Sequence, residues 1–101
     1  MSEWMFLTNH AMVLSYVSRH PRTTALDLAT SIGITERATR KILADLEAEG
    51  YITKKREGRR NRYGVDPDLS LRHPIHDEAV VGDLLQVFGW KRRGKSSKPA
   101  Q

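Results

Sequence analysis

A chain of 101 residues with a 39% apolar share makes one small domain with appendages and a modest core. It has no cysteine, which excludes disulfides, thiolate metal sites and cysteine nucleophiles. The net charge of +5 belongs to residues 91–101, which carry five bases and no acid, so the rest of the chain balances twelve bases against twelve acids.

The start, MSEWMFLTNH, has no basic leader before a long apolar run, and no run approaches the ~18 apolar residues of a membrane span. A cytoplasmic protein with no membrane partner is expected. An apolar segment at 1–7 precedes the first element. Thr8 or Asn9 then caps a helix running to about Arg19, closed by Pro21. Val13, Leu14 and Val17 make one apolar stripe, and Met12 with Tyr16 makes a second on another side.

Thr23 or Thr24 opens a second helix, ALDLATSI, with Leu26, Leu28, Ala29 and Ile32 available for packing and Gly33 at its end. Thr35 caps a third helix that closes at Gly50. Two helices joined through a short glycine-containing turn predict a helix-turn-helix. The run YITKKREGRRNRYGVD predicts two short strands bent at Gly58, with Tyr51, Ile52, Tyr63 and Val65 as their apolar members. A loop follows Asp66-Pro67-Asp68. A fourth helix is predicted from Ile75 or Asp77 to Phe88, with Val81, Leu84, Leu85 and Phe88 at helical spacing and Asp77 and Glu78 in its first turn. The basic end from Lys91 reads as disordered. The predicted class is mainly α with a small β-hairpin, a winged helix-turn-helix at 8–66 followed at 67–90 by a loop and an additional C-terminal helix for dimerisation.

Charge placement carries the functional reading. From Arg37 to Arg62 lie nine bases against four acids. The third helix also opposes its own dipole, with bases in its first half and acids in its second. On a helical wheel Ala38, Thr39, Ile42, Leu43 and Leu46 share an apolar arc, and Arg37, Arg40, Lys41, Ala44 and Ala48 take the opposite one. Such an arc fits the DNA major groove, where attraction to a polyanion offsets the dipole penalty. A merely solvated charged face is the alternative for the helix alone. The hairpin adds Lys54, Lys55, Arg56, Arg59, Arg60 and Arg62, six bases in nine residues, with Asn61 near its tip. That exceeds what protection of a strand edge requires and suits a minor groove or phosphates.

The run LDLATSIGITERATRKILADLEAEGYITKKREGRRNRYGVDPD resembles the winged helix-turn-helix domain of MarR-type transcriptional regulators. LSLRHPIHDEAVVGDLL is similar to a group of short regulators of this type common in actinobacteria. The resemblance spans about residues 8–88 and rests on GITERA, LEAEGY and GRRNRY in combination. It implies a recognition helix at Thr35–Glu49, a wing at Lys54–Arg62, and dimers that bind duplex DNA. It would bring Thr35, Glu36, Arg37, Arg40 and Lys41 toward bases and phosphates, and Thr24 toward a phosphate. Glu36 either accepts from a cytosine amino group or favours the helix N-terminus.

Met12, Tyr16, Val81, Leu84, Leu85 and Phe88 are the predicted homodimer interface, because their apolar surface exceeds the needs of so small a body. His73 and His76, with Pro74 between them, suit a helix entry with solvated or capping histidines better than a metal pair. No catalytic constellation is present, so neither enzyme activity nor a cofactor is expected. A winged-helix module for an acidic protein partner, and a sequence-indifferent architectural DNA binder, are the rival readings. The sequence leaves any small-molecule effector open.

Overall fold

A computed structural model describes residues 5–76 and 78–91. Three helices lead: α1 (Asn9–Arg19), α2 (Ala25–Ile32) and α3 (Glu36–Ala48). A threonine hydroxyl opens each of them by accepting a first-turn N–H. Thr8 takes that of Ala11 at 3.1 Å, Thr24 that of Asp27 at 3.0 Å, and Thr35 that of Ala38 at 3.0 Å. Each such cap is worth about 1 kcal/mol, because the first-turn N–H groups have no partner within the helix. Gly33 ends α2 at φ 90°, a left-handed backbone that glycine adopts without steric penalty.

Strands β1 (Ile52–Glu57) and β2 (Arg60–Val65) pair antiparallel, in register from Ile52 opposite Val65 to Glu57 opposite Arg60. The two-residue turn has Gly58 first, at φ 60°, where a type II′ turn takes glycine. Tyr63 N–H also donates to the Pro21 carbonyl at 2.8 Å, which ties the α1–α2 link to the outer edge of β2.

One core joins these elements. Val13 and Val17 of α1, Leu28 of α2, Ile42 and Leu46 of α3, and Ile52 and Tyr63 of the hairpin are all buried in it. Thr39 is wholly buried among them, and its hydroxyl donates to the Thr35 carbonyl at 2.9 Å, so this buried polar group is met.

The C-terminal part differs from expectation. Helix α4 spans only Val81–Val87, and Pro74–His76 form a single 3₁₀ turn. Before α4, Glu78 lies in a turn and Val80 is extended and bridges Ser70, and the helix starts only beyond it. Ile75 is therefore exposed, and the first-turn acid is Asp83 rather than Glu78. Asp77 lies outside the described residues.

Three of the residues predicted for a dimer interface pack within the chain itself. Val81 and Leu85 are 3% and 1% exposed because α4 folds back onto the chain's own core. The Val81 and Gly82 N–H groups hold it there through the Leu69 and Pro67 carbonyls, each at 2.8 Å. Tyr16 also packs against this core, stacks near His20, and accepts a bond from the Ser31 hydroxyl at 3.2 Å. Met12 and Leu84 are half-buried, and Phe88 stays exposed beside Val87. Leu26, predicted to pack, instead faces outward, while Met5 and Phe6 are exposed before α1. Trp4 and the basic tail beyond Lys91 lie outside the described residues.

Candidate nucleic-acid interface

Helix α3 is divided as its wheel predicts. Thr39, Ile42, Leu43 and Leu46 are buried, while Arg37, Arg40, Lys41, Ala44 and Ala48 are exposed. The alanines keep that outer arc low between its long cations.

The charges that oppose the dipole are partly met within the helix. Arg40 Nη2 donates to Glu36 Oε2 at 2.5 Å, and Lys41 Nζ to Asp45 Oδ1 at 2.9 Å. Both pairs span one turn, and the Arg40 and Lys41 side chains remain 67% and 74% exposed. Pairs of this kind contribute about 0.3–0.5 kcal/mol, too little to hold a cation away from a phosphate. Arg37 has no ion-pair partner among the described residues.

Asp45 has a second partner, since His10 Nε2 on α1 lies 2.8 Å from its other oxygen. Hydrogen bonds from His10 first and Lys41 second hold the Asp45 carboxyl below the usual aspartate range, because both favour the charged form. The acids of α3 thus brace its cations and its seat against α1. The sequence alone did not suggest a role for His10 in this.

Thr24 and Thr35 serve first as caps. Capping uses only the oxygen as an acceptor, so each hydroxyl keeps a proton for another acceptor.

The hairpin splits its bases between two faces. Residues opposed across the strands share a face, as do alternate residues along each strand. Lys54, Arg56 and Asn61 therefore lie on the face of Ile52 and Tyr63, which turns toward the core. Lys55, Arg60 and Arg62 take the other face, and Arg59 stands at the turn. Arg56 Nε donates to the Gly58 carbonyl at 2.9 Å and so folds over the tip. Arg60 Nη1 donates to the Arg22 carbonyl at 3.0 Å, and Arg22 Nε meets Glu57 at 3.1 Å.

Arg60, predicted as a phosphate contact, also links the hairpin to the segment before α2. Arg22 was missed as its counterpart. The available signal was HPRTT, a short stretch too tight to be helical that must run beside something. Elsewhere, His73 Nδ1 accepts from the Ile75 N–H at 3.2 Å, a local turn contact.

Three helices followed by a basic hairpin, with the third helix presenting its outer arc, decide the architecture. The fold is a winged helix-turn-helix. Residues 8–53, just under half of the chain, match the family profile described as winged helix-turn-helix DNA-binding. The solved structure of MepR, a transcription regulator of the Staphylococcus aureus multidrug efflux pump MepA, matches with a TM-score of 0.52 and 21% sequence identity. That match covers 58% of this chain and 46% of MepR, so the chain spans less than half of that protein and the likeness is one of fold. Comparison with curated proteins gives no match. No helix among the described residues is long and apolar enough to cross a membrane.

Proposed function

We propose that this chain is a cytoplasmic, homodimeric transcriptional regulator of the MarR type that binds duplex DNA. The observation that carries the proposal is the outer arc of α3, where Arg37, Arg40 and Lys41 stand exposed directly opposite a buried arc, within a winged helix-turn-helix. In that fold the third helix enters the major groove by its N-terminal half. Arg37 and Arg40 are the candidates for guanine edges, which take a bidentate guanidinium, and Lys41 for a phosphate.

Thr24 and Thr35, at the starts of their helices, use their hydroxyl hydrogens to donate hydrogen bonds to DNA phosphates. Lys54, Arg56 and Arg59 carry the hairpin's contact with phosphates or the minor groove, with Asn61 beside them. Arg60 and Arg22 hold the hairpin at its angle. Phe88 and Val87, exposed at the end of α4, and Met12 and Leu84, half-buried, are what remains to support a dimer.

Selection of bound sites from a random duplex library tests the reading. An inverted repeat with half-sites about 34 Å apart is the expected result. Recovery of no preferred sequence would replace the proposal with sequence-indifferent DNA coating. Absence of any binding at low salt, where electrostatic affinity is greatest, would replace it with a protein-interaction module.

A further inference from the structure

His10 stands in the first turn of α1 with its side chain half exposed, and its Nε2 lies 2.8 Å from Asp45 Oδ2 on α3. The other oxygen of that carboxylate accepts from Lys41 Nζ at 2.9 Å. One acid thus serves two basic side chains from different helices. One of the two, Lys41, belongs to the outer arc of α3.

Among the described residues Asp45 is the only acid paired with His10. The first turn of α1 holds none, and Asp27 of α2 lies beside Tyr16 and His20, toward the far end of α1. Arg60 and Arg62 of β2 stand near Arg22 and Arg19, also at that far end. Glu49, one turn beyond Asp45 on α3, is taken by Arg72 at 3.3 Å.

A carboxylate only accepts hydrogen bonds, so the His10 nitrogen that faces it carries a hydrogen. The titrating proton therefore enters at Nδ1, the other ring nitrogen. Protonation makes the ring a cation and leaves its contact with Asp45 in place. The Asp45 carboxyl, held below the usual aspartate range, stays charged wherever a histidine titrates. Neutral His10 leaves that negative charge to Lys41. Charged His10 shares it, and Lys41 is then held less firmly against a competing phosphate.

We propose that protonation of His10 strengthens duplex binding by loosening Lys41 from Asp45, which makes His10 a positioning residue of the α3 surface. The proposal rests on the DNA reading above and adds a pH response to it. Affinity rises as pH falls from about 8 to about 5, the range in which histidine charges.

The test is fluorescence anisotropy of one labelled duplex at about pH 8 and about pH 5.5, at the same low ionic strength. Binding should be roughly threefold tighter at the lower pH, the scale of one unit charge acting across several ångströms of water. His10→Gln keeps an N–H donor without a titrating charge and should bind at the weak limit at both pH values. His10→Lys is charged at both and should bind at the tight limit. Lys41→Ala should show no pH response, because the side chain that His10 releases is gone. His20→Gln, at the far end of α1, should keep the response. Melting temperatures check that each variant is folded.

A response that persists in His10→Gln would overturn the proposal by assigning it to another group. One that persists in Lys41→Ala would overturn it by making His10 itself the DNA contact. A parent that binds equally at both pH values would overturn it while leaving the DNA reading intact. A parent that binds at neither would overturn both.

Discussion

Three bases stand on the outer arc of α3 and six on the hairpin, yet the two groups are restrained in opposite ways. On α3, Arg40 and Lys41 are each held by a carboxylate one turn away, on a helix capped by Thr35 and seated on the core. On the hairpin, Arg56 and Arg60 rest on backbone carbonyls, while Lys54, Lys55, Arg59 and Arg62 have no ion-pair partner among the described residues. The difference suits two tasks. Reading a base edge requires a guanidinium aimed before contact, since ordering a long side chain on binding costs about 0.5–1.5 kcal/mol. Following a phosphate backbone requires only charge, and mobility helps.

The comparison can be broken at several points. The largest effect should come from the buried side of α3, where Ile42→Ala removes the packing that fixes the arc. A loss of about 2–5 kcal/mol in folding stability, measured by chemical denaturation, is expected. A loss well below that range would mean that α3 is not anchored as described.

Next come the arginines of the outer arc. Arg37→Ala and Arg40→Ala should each weaken binding to a selected duplex by about 1–3 kcal/mol if they read guanines, with smaller losses on scrambled DNA. Competition binding against both duplexes checks this. Thr35→Ala should lower stability by about 1 kcal/mol through its lost cap, visible as a lower melting temperature.

The hairpin should behave differently. Lys54→Ala and Arg59→Ala should weaken selected and scrambled duplexes alike and flatten the salt dependence by about one unit of slope each. Loss of sequence preference in either variant would erase the distinction between the two regions.

The smallest effect concerns Asp45. Its carboxyl is held low in the folded chain by His10 and Lys41, so its stabilising contribution is present above the unfolded pKa and fades as pH falls through the lower folded value. Stability followed below about pH 4 should therefore fall less steeply in Asp45→Asn than in the parent, given the usual aspartate pKa. Parallel curves would remove His10 and Lys41 as its partners.

What was legible in the sequence follows from how local each signal is. Thr8, Thr35, Gly33 and Gly58 specify caps and turns within a few residues, and each is found in that role. The two arcs of α3 were equally readable, because helical periodicity alone separates Ile42 and Leu46 from Arg37 and Arg40. The alternation along the strands placed Ile52 and Tyr63 inward in the same way.

Long-range partners were not legible. Val81 and Leu85 have the spacing of an amphipathic helix, but periodicity cannot say whether their apolar side meets a second copy or the chain's own core. The Ser70–Val80 bridge, between residues ten apart, shortened α4 and turned it inward. The contact of Arg60 with the Arg22 carbonyl, 38 residues away in sequence, was equally out of reach.

The central claim is that α3 supplies the sequence preference and the hairpin supplies charge. Fluorescence anisotropy of the Arg37→Ala/Arg40→Ala double variant, on a selected duplex and on a scrambled one at the same salt concentration, tests it most directly. The account predicts that the preference for the selected duplex collapses while affinity for the scrambled one largely persists. A double variant that keeps its full preference would contradict it.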